Sequence, residues 1–300
     1  MDERRKNKKG LKMKSYQEFC TINAKRLFEI IDQHGSLLKW RKEWDGQGAS
    51  SLPCGSNGYY KGGNLFALLF AQMDNGFKSE QWLTFNQINK FGGKVLKGAK
   101  SEEVYFWALK DNAKKNPKTN ESEITKQVIF KTYRVFNLEQ TTLFEKQNGA
   151  VPQSHKCAQL LDVLNVEVSH YGNKAFFSPS QDVVVMPQLD QFTSVAAYEA
   201  TLFHELTHWT GHESRLKRES MASYGTDKGR AEEELVAEIG SFFLATFFNV
   251  NSDIENHASY ISSWKNLLNE KEVMRATNMA TKAFHYLLEP LQACEMKKAA

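Results

Sequence analysis

Three hundred residues, 41% of them apolar and 25% charged, are enough for two globular domains that each bury a core. No run approaches the roughly 20 consecutive apolar residues of a bilayer span, so no membrane partner is expected. The charged start MDERRKNKKGLKMK has no apolar stretch behind it, which fits a cytoplasmic protein better than a secreted one. The net charge of +4 is unevenly spread: residues 1–140 hold 25 Lys/Arg against 15 Asp/Glu, and residues 141–300 hold 14 against 20, which makes a polyanion the natural partner of the first half.

In chain order, residues 1–14 read as a basic, disordered arm. Ser15 and Glu18 have capping-box spacing and predict a helix start, with Tyr16, Phe19, Cys20, Leu27, Ile30 and Ile31 at helical spacing and Gly35 as the stop. Residues 40–63 are dense in Gly, Ser, Pro and Asn and read as loop. A second helix is expected from Asn64 to Asn75-Gly76, where Gly adopts the left-handed C-cap. Thr84 and Gln87 repeat the capping-box spacing before a short helix that stops at Gly92-Gly93. Strands are expected over 94–96, 103–109 and 127–138, with the polar stretch DNAKKNPKTNES as a hairpin loop or insertion between the last two.

Residues 139–152 read as a linker, and a helix over 154–165 follows it. Short strands are expected at 166–168, 175–177 and 182–186, then helices over 193–211, 230–248, 253–269 and 272–289. The fold class is α+β in both halves, with no internal repeat. The cysteines Cys20, Cys54, Cys157 and Cys294 lie far apart, as scattered thiols do, and match neither a disulfide framework nor a zinc finger.

The sharpest signal is His204-Glu205-Leu206-Thr207-His208. On a helix, positions i and i+4 share a face, so both imidazoles can bind one ion while Glu205 moves protons beside it as the catalytic carboxylate. A catalytic zinc needs a third protein ligand. The longer pattern H-E-x-x-H-x-x-G-x-x-H matches through Gly211 but places Ser214 where its last His belongs, and His212 follows a helix-ending glycine. The alternative is a carboxylate from AEEELVAEIGSFFLATFF. Glu234 is assigned as that ligand, with Glu232 and Glu233 as its competitors, and Glu238 as the acceptor that orients His204. Ala237 would let the two helices approach closely. Residues 182–186, bracketed by Pro179 and Pro187, read as an edge strand that could pair with an extended substrate, and Tyr224 is a candidate oxyanion donor.

In the basic half, aromatic and cationic residues interleave: Tyr59, Tyr60, Lys61, Trp82, Phe85, Phe91, Lys94, Lys97, Lys100, and Tyr105 to Trp107. A cationic groove with aromatic faces is how single-stranded nucleic acid is held without sequence preference. Tyr59, Tyr60, Lys61, Asn64, Trp82, Lys94, Lys97 and Lys100 are the expected DNA contacts.

The runs LFHELTHWTGHESRL and EEELVAEIGSFFL, preceded by LPCGSNGYYKGGNLFALL, WLTFNQINKFGGKVLKGAK and YRVFNLEQ, resemble the ArdC family of antirestriction proteins, related to the N-terminal region of TraC-type primases. The resemblance covers about residues 15–290. It implies a single-stranded-DNA-binding domain (15–140), a linker (141–152) and a zincin-like, gluzincin-type metallopeptidase domain (153–300) holding Zn2+ or another divalent ion such as Mn2+. It also implies origin on plasmids or other mobile elements and protection of incoming DNA from restriction during conjugation. Cys54, Ser56-Asn57 and the long stretch 111–123 depart from the family pattern. The rival reading is an active zinc metallopeptidase acting on host proteins, with DNA only placing it.

Overall fold

The basic N-terminus is helical. In the computed structural model, which describes residues 2–44, 52–56, 58–115, 122–144, 157–251 and 267–299, helix α1 runs Asp2–His34. Ser15 therefore starts nothing, and the expected disordered arm is the first part of α1. Lys, Arg, Met and Leu are all good helix formers, and one Gly at position 10 costs only about 1 kcal/mol. The predicted stop holds: Gly35 has φ 81 and its N–H reaches the Ile31 carbonyl at 2.8 Å.

Helix α2 (Leu37–Trp44) begins where loop was expected to take over. The missed signal is Ser36, whose hydroxyl accepts from the Lys39 N–H at 3.1 Å as an N-cap does. Two-residue strands β1 (Cys54–Gly55) and β2 (Gly58–Tyr59) precede helix α3 (Gly63–Asp74). α3 ends as predicted: Gly76 has φ 65, its N–H bonds to the Met73 carbonyl, and that of Phe77 bonds to Gln72, the paired bonds of a Schellman cap. Cys20 and Cys54 are free thiols.

The chain divides into two compact units, one of residues 1–53, 59–78 and 150–300 and the other of 54–58 and 79–149. The first unit joins segments from both halves of the sequence, through aromatic packing. The first unit contains helices α5 (Cys157–Leu164), α6 (Val195–Thr210), α7 (Glu219–Ala222), α8 (Asp227–Phe247) and α9 (Glu270–Ala299). Phe66 of α3 lies 5.3 Å from Phe243 and 6.4 Å from Phe242 on α8, ring to ring, and Phe243 lies 5.9 Å from Phe284 on α9. Leu27, Ile31, Leu37 and Trp40 from α1 and α2 are buried in the same core. An apolar face on each N-terminal helix needs a partner, and α8 and α9 provide it. The expected helix 253–269 falls mainly on residues outside those described.

A three-stranded sheet completes this unit in the order β6-β8-β7, from β6 (Val168–His170), β7 (Phe176–Ser178) and β8 (Val183–Met186). β8 pairs parallel with β6 and antiparallel with β7. The expectation of an edge strand at 182–186 therefore fails: both of its hydrogen-bonding edges are taken, and no peptide can add there. Val184, Val185 and Met186 are fully buried, as a central strand requires.

The second unit is built on the sheet β3-β5-β4, from β3 (Trp82–Thr84), β4 (Glu102–Lys115) and β5 (Ser122–Asn137), over a small core of Leu83, Ile88, Leu138 and Leu143. β3 pairs with β5 only at residues 135–137, whereas β4 pairs with β5 from Glu102↔Val135 to Lys115↔Ser122. Beyond the core the hairpin continues as a two-stranded ribbon, so Asp111 to Lys115 and Ser122 of DNAKKNPKTNES are strand, while 116–121 lie outside the described residues. The expected strand at 94–96 reduces to a single bridge, Val95↔Thr141.

Helix α4 (Phe85–Lys90) carries both capping-box bonds: Gln87 N–H to Thr84 Oγ1 at 3.3 Å, and Thr84 N–H to Gln87 Oε1 at 2.8 Å. Because a six-residue helix has few bonds of its own, Thr84→Ala should lower the stability of this unit by about 1 kcal/mol, read from urea unfolding. An unchanged midpoint would mean that the cap contributes nothing beyond the strand before it.

Candidate metal centre

Ser194 starts α6 by accepting from the Ala197 N–H at 3.1 Å, and Thr226 starts α8 by accepting from Gly229 at 3.0 Å. The two helices cross tightly. A Cβ on Gly240 would sit 2.5 Å from Thr207 Cγ2, and Ser241 donates to the Ala200 carbonyl at 3.0 Å. Gly240, more than the expected Ala237, is what the close approach demands.

This crossing brings His204, His208 and Glu234 together, with one ligand atom from each inside 4.8 Å of the others. The two Nε2 atoms are 3.2 Å apart, Glu234 Oε2 is 3.4 Å from His204 Nε2, and Oε1 is 3.7 Å from His208 Nε2. Both histidines are nearly fully buried, and Glu205 lies beside them at 7% exposure. Burial opposes the charge on Glu234, yet hydrogen bonds from His204 and His208 hold its carboxyl well below the usual carboxylate range. Burial likewise disfavours charge on His208, but bonds to Glu233 and Glu234 outweigh it and push the pKa up to about 10. Two imidazole nitrogens and a carboxylate oxygen converging in a buried site are the donor set a divalent ion takes in a zincin, so these residues fit one.

The three consecutive glutamates are sorted by the turn of the helix, about 100° per residue. Glu232 points to α9 and pairs with Arg275. Glu233, fully buried, accepts from His208 Nδ1 at 3.1 Å and from Arg218 and Ser220. Burial would raise its pKa, but the Arg218 guanidinium and the bond to His208 bring it down to about 2. Glu234 alone faces the histidine pair. The expected competitors Glu232 and Glu233 thus have other partners, and Arg218 and Ser220 are neighbours that sequence reasoning missed. Neither stands in a spacing that signals its role.

Glu238 is 3% exposed and accepts a bond from the backbone N–H of Leu37 at the start of α2. Its Oε1 is buried without a hydrogen-bond partner among the described residues, and burial raises its pKa. Tyr224 donates its hydroxyl to Glu234, and burial together with that carboxylate raises the phenol above its ordinary range. His212 turns away and bonds Ser214 at 2.7 Å, so it does not belong to the cluster.

The expected DNA contacts are less united. Trp82 is 1% exposed and cannot offer a face to a base, because β3 packs it into the interior. Tyr59 is half-buried and packs edge-on against Phe247 and Phe284, and Tyr60 is half-buried against the same core. Asn64 is half-buried and Lys61 exposed in that unit, whereas Lys94, Lys97 and Lys100 are exposed in the other. Exposed aromatics in the second unit lie instead at Phe85, Phe91, Phe106, Trp107 and Tyr133, and two more, Tyr171 and Phe176, lie in the first.

A histidine pair on one buried helix, faced by a glutamate from the next and flanked by a small sheet, defines a zincin-like metallopeptidase fold, and residues 155–279 match the family model of a zincin-like metallopeptidase. Residues 15–136 match the model of the N-terminal domain of the anti-restriction factor ArdC. With both modules in this order, the chain belongs to the ArdC family of antirestriction proteins. The crystal structure of the antirestriction protein ArdC from plasmid R388, metal-free, superposes with a TM-score of 0.70 at 29% identity, covering 91% of this chain and 98% of that one. Its Mn(II)-bound form gives 0.66 over 90% and 97%. A DNA primase TraC of Escherichia coli is 31% identical over 301 residues, which is 92% of this chain but only 20% of the primase. The uncharacterised protein y4eC of Sinorhizobium fredii is 27% identical, covering 75% of this chain and 76% of its own length. The zincin-like fold, its donor set and the Mn(II)-bound relative all point to a divalent metal. No described helix is long and apolar enough to cross a membrane.

Proposed function

We propose that this protein coats incoming single-stranded DNA on a mobile element and shields it from restriction during conjugative transfer, with a divalent-metal centre at His204, His208 and Glu234. The observation that carries the DNA reading is the β4–β5 ribbon. Phe106 and Tyr133 share one of its faces with Lys131, their rings 6.3 Å apart, while Trp107 packs on Phe130 on the other at 4.4 Å. Phe106 is 51%, Trp107 44% and Tyr133 41% exposed, costly for aromatic rings unless something stacks on them. Lys94, Lys97, Lys100, Lys131 and Arg134 supply exposed positive charge in the same unit. Sequence-independent binding follows, since every base has a π-face and every nucleotide a phosphate.

Fluorescence anisotropy with single- and double-stranded oligonucleotides tests this. Phe106→Ala combined with Tyr133→Ala should weaken single-strand binding by about 1–3 kcal/mol for each base that loses a platform. Affinity should fall steeply with salt, as log K against log[salt]. Wild-type affinity in the double variant would remove the ribbon from the interface.

At the metal centre, a bound divalent ion would act as a Lewis acid. Glu205 is the group placed to accept and return a proton there, and Glu238, with one oxygen held by Leu37, is the acceptor proposed to orient His204. Zinc is the ion this donor set favours, with Mn2+ the alternative. A second reading, peptidase action on a host protein, draws on Tyr224, which donates to Glu234, and on Glu205, close enough for its charge to act on that phenol, a hydroxyl donor and a carboxylate base at one site.

A further inference from the structure

We infer that Arg218, acting through Glu233, fixes which nitrogen of His208 faces the metal centre and thereby sets the affinity of that centre for a divalent ion. The inference rests on the metal reading above and assigns two positioning residues to it.

An imidazole can present either nitrogen to a metal, and the hydrogen bond made by the other decides which. In His208, Nε2 lies in the cluster with His204 and Glu234, and Nδ1 lies 3.1 Å from Glu233 Oε1. Glu233 can only accept here. Its Oε2 takes bonds from Arg218 Nε at 3.0 Å and Ser220 Oγ at 2.6 Å, and its Oε1 takes one from Arg218 Nη2 at 2.5 Å. With an ion bound, His208 keeps one proton, which Glu233 holds on Nδ1, and the lone pair of Nε2 is left for the ion.

Arg218 also holds the backbone that carries His208. Its Nη2 donates to the Thr207 carbonyl at 2.7 Å and its Nη1 to Thr210 Oγ1 at 2.6 Å, at the end of α6 where carbonyls lack a backbone N–H partner within the helix. One guanidinium thus fixes both the helix end and the carboxylate that orients the ring. Arg218, Ser220 and Glu233 are each less than 5% exposed, so water does not compete for these bonds.

Gly211 fits the same scheme. Its φ of −77 is open to any residue, but a Cβ there would lie 2.5 Å from Arg218 Nη2 and 2.7 Å from its Cζ. The glycine after HELTHWT is required by the guanidinium passing over it, and that requirement is independent of any third histidine ligand.

The test uses the full chain and measures Zn2+ and Mn2+ dissociation constants by competition with a chromophoric chelator. Apo-protein melting temperature and the 15N shifts of His208 are recorded beside them. Glu233→Gln keeps shape and an acceptor but loses the charge that Arg218 holds. Arg218→Lys keeps charge but loses the fork. Each should weaken metal binding by about 10- to 100-fold in protein that still melts cooperatively, the range found when a ligand's outer partner is removed. In the Zn2+-loaded protein, Nδ1 of His208 should be the protonated nitrogen in wild type and lose that exclusivity in Glu233→Gln.

Wild-type metal affinity in both variants, or a Zn2+-loaded wild type whose His208 is protonated at Nε2, would overturn the inference while leaving the metal reading intact. No metal binding by wild type would overturn the metal reading and this inference with it. A lower melting temperature with unchanged metal affinity would reduce Arg218 to a helix cap, which also overturns it.

Discussion

Glu234→Ala should abolish useful divalent-metal binding, with an affinity loss beyond the roughly 10–100-fold expected from an outer partner such as Glu233. Among the described residues Glu234 is the one acidic residue whose oxygens face both histidines, at 3.4 Å and 3.7 Å, so no neighbour on α8 can replace it without turning the helix. The loss is readable without any assay of activity. A ligand present at 100 times its Kd stabilises a protein by about 2.7 kcal/mol, so saturating Zn2+ or Mn2+ should raise the melting temperature of wild type and leave that of the variant unmoved. Glu205→Gln should keep the metal-dependent rise, since Glu205 lies outside the donor cluster. If Glu234→Ala still responded to metal like wild type, the third ligand would have to be sought elsewhere. If Glu205→Gln lost protection of incoming DNA while keeping metal and DNA binding, the peptidase reading would gain over simple coating.

Phe243→Ala should cost about 3–5 kcal/mol of stability, measured by urea unfolding, close to the whole margin of an ordinary domain. Its ring is fully buried where α3, α8 and α9 meet, against Phe66, Phe242 and Phe284. Three large rings around one deleted ring cannot all collapse into the space, so the cavity penalty should be near the upper end of its range. The change should also weaken metal binding indirectly, because α8 carries Glu234 and Glu238 on the same helix as Phe243. A cost below about 1 kcal/mol would mean that α3 does not pack on α8, and that the N-terminal helices belong to a separate core.

That packing joins the N-terminal helices to the zincin-like ones in one core. Leu37, at the start of α2, donates its backbone N–H to Glu238 on α8, so a segment from the first half of the sequence reaches the surroundings of the metal centre. By sequence the chain is two modules, and the family models divide it so. By contacts, the first three helices belong with the zincin-like helices.

What the sequence by itself determined were the features that depend on near neighbours. His204 and His208 share a face because a helix repeats every 3.6 residues, and Ser194, Thr84 and Gly76 start or stop their elements through bonds only two to five residues long. The family could be read for the same reason, from contiguous motifs. The tertiary structure decided everything that needed a partner distant in the chain. Glu232, Glu233 and Glu234 look alike in a row, and only the crossing of α6, α8 and α9 gives them different partners. Trp82 and Phe106 are both aromatic in strand-like runs, yet one is a core residue and the other is exposed, because β3 lies over the small core while the ribbon runs beyond it. Arg218 carries no local signal at all. Its role exists only because folding places it between a helix end and a glutamate 15 residues further along the chain.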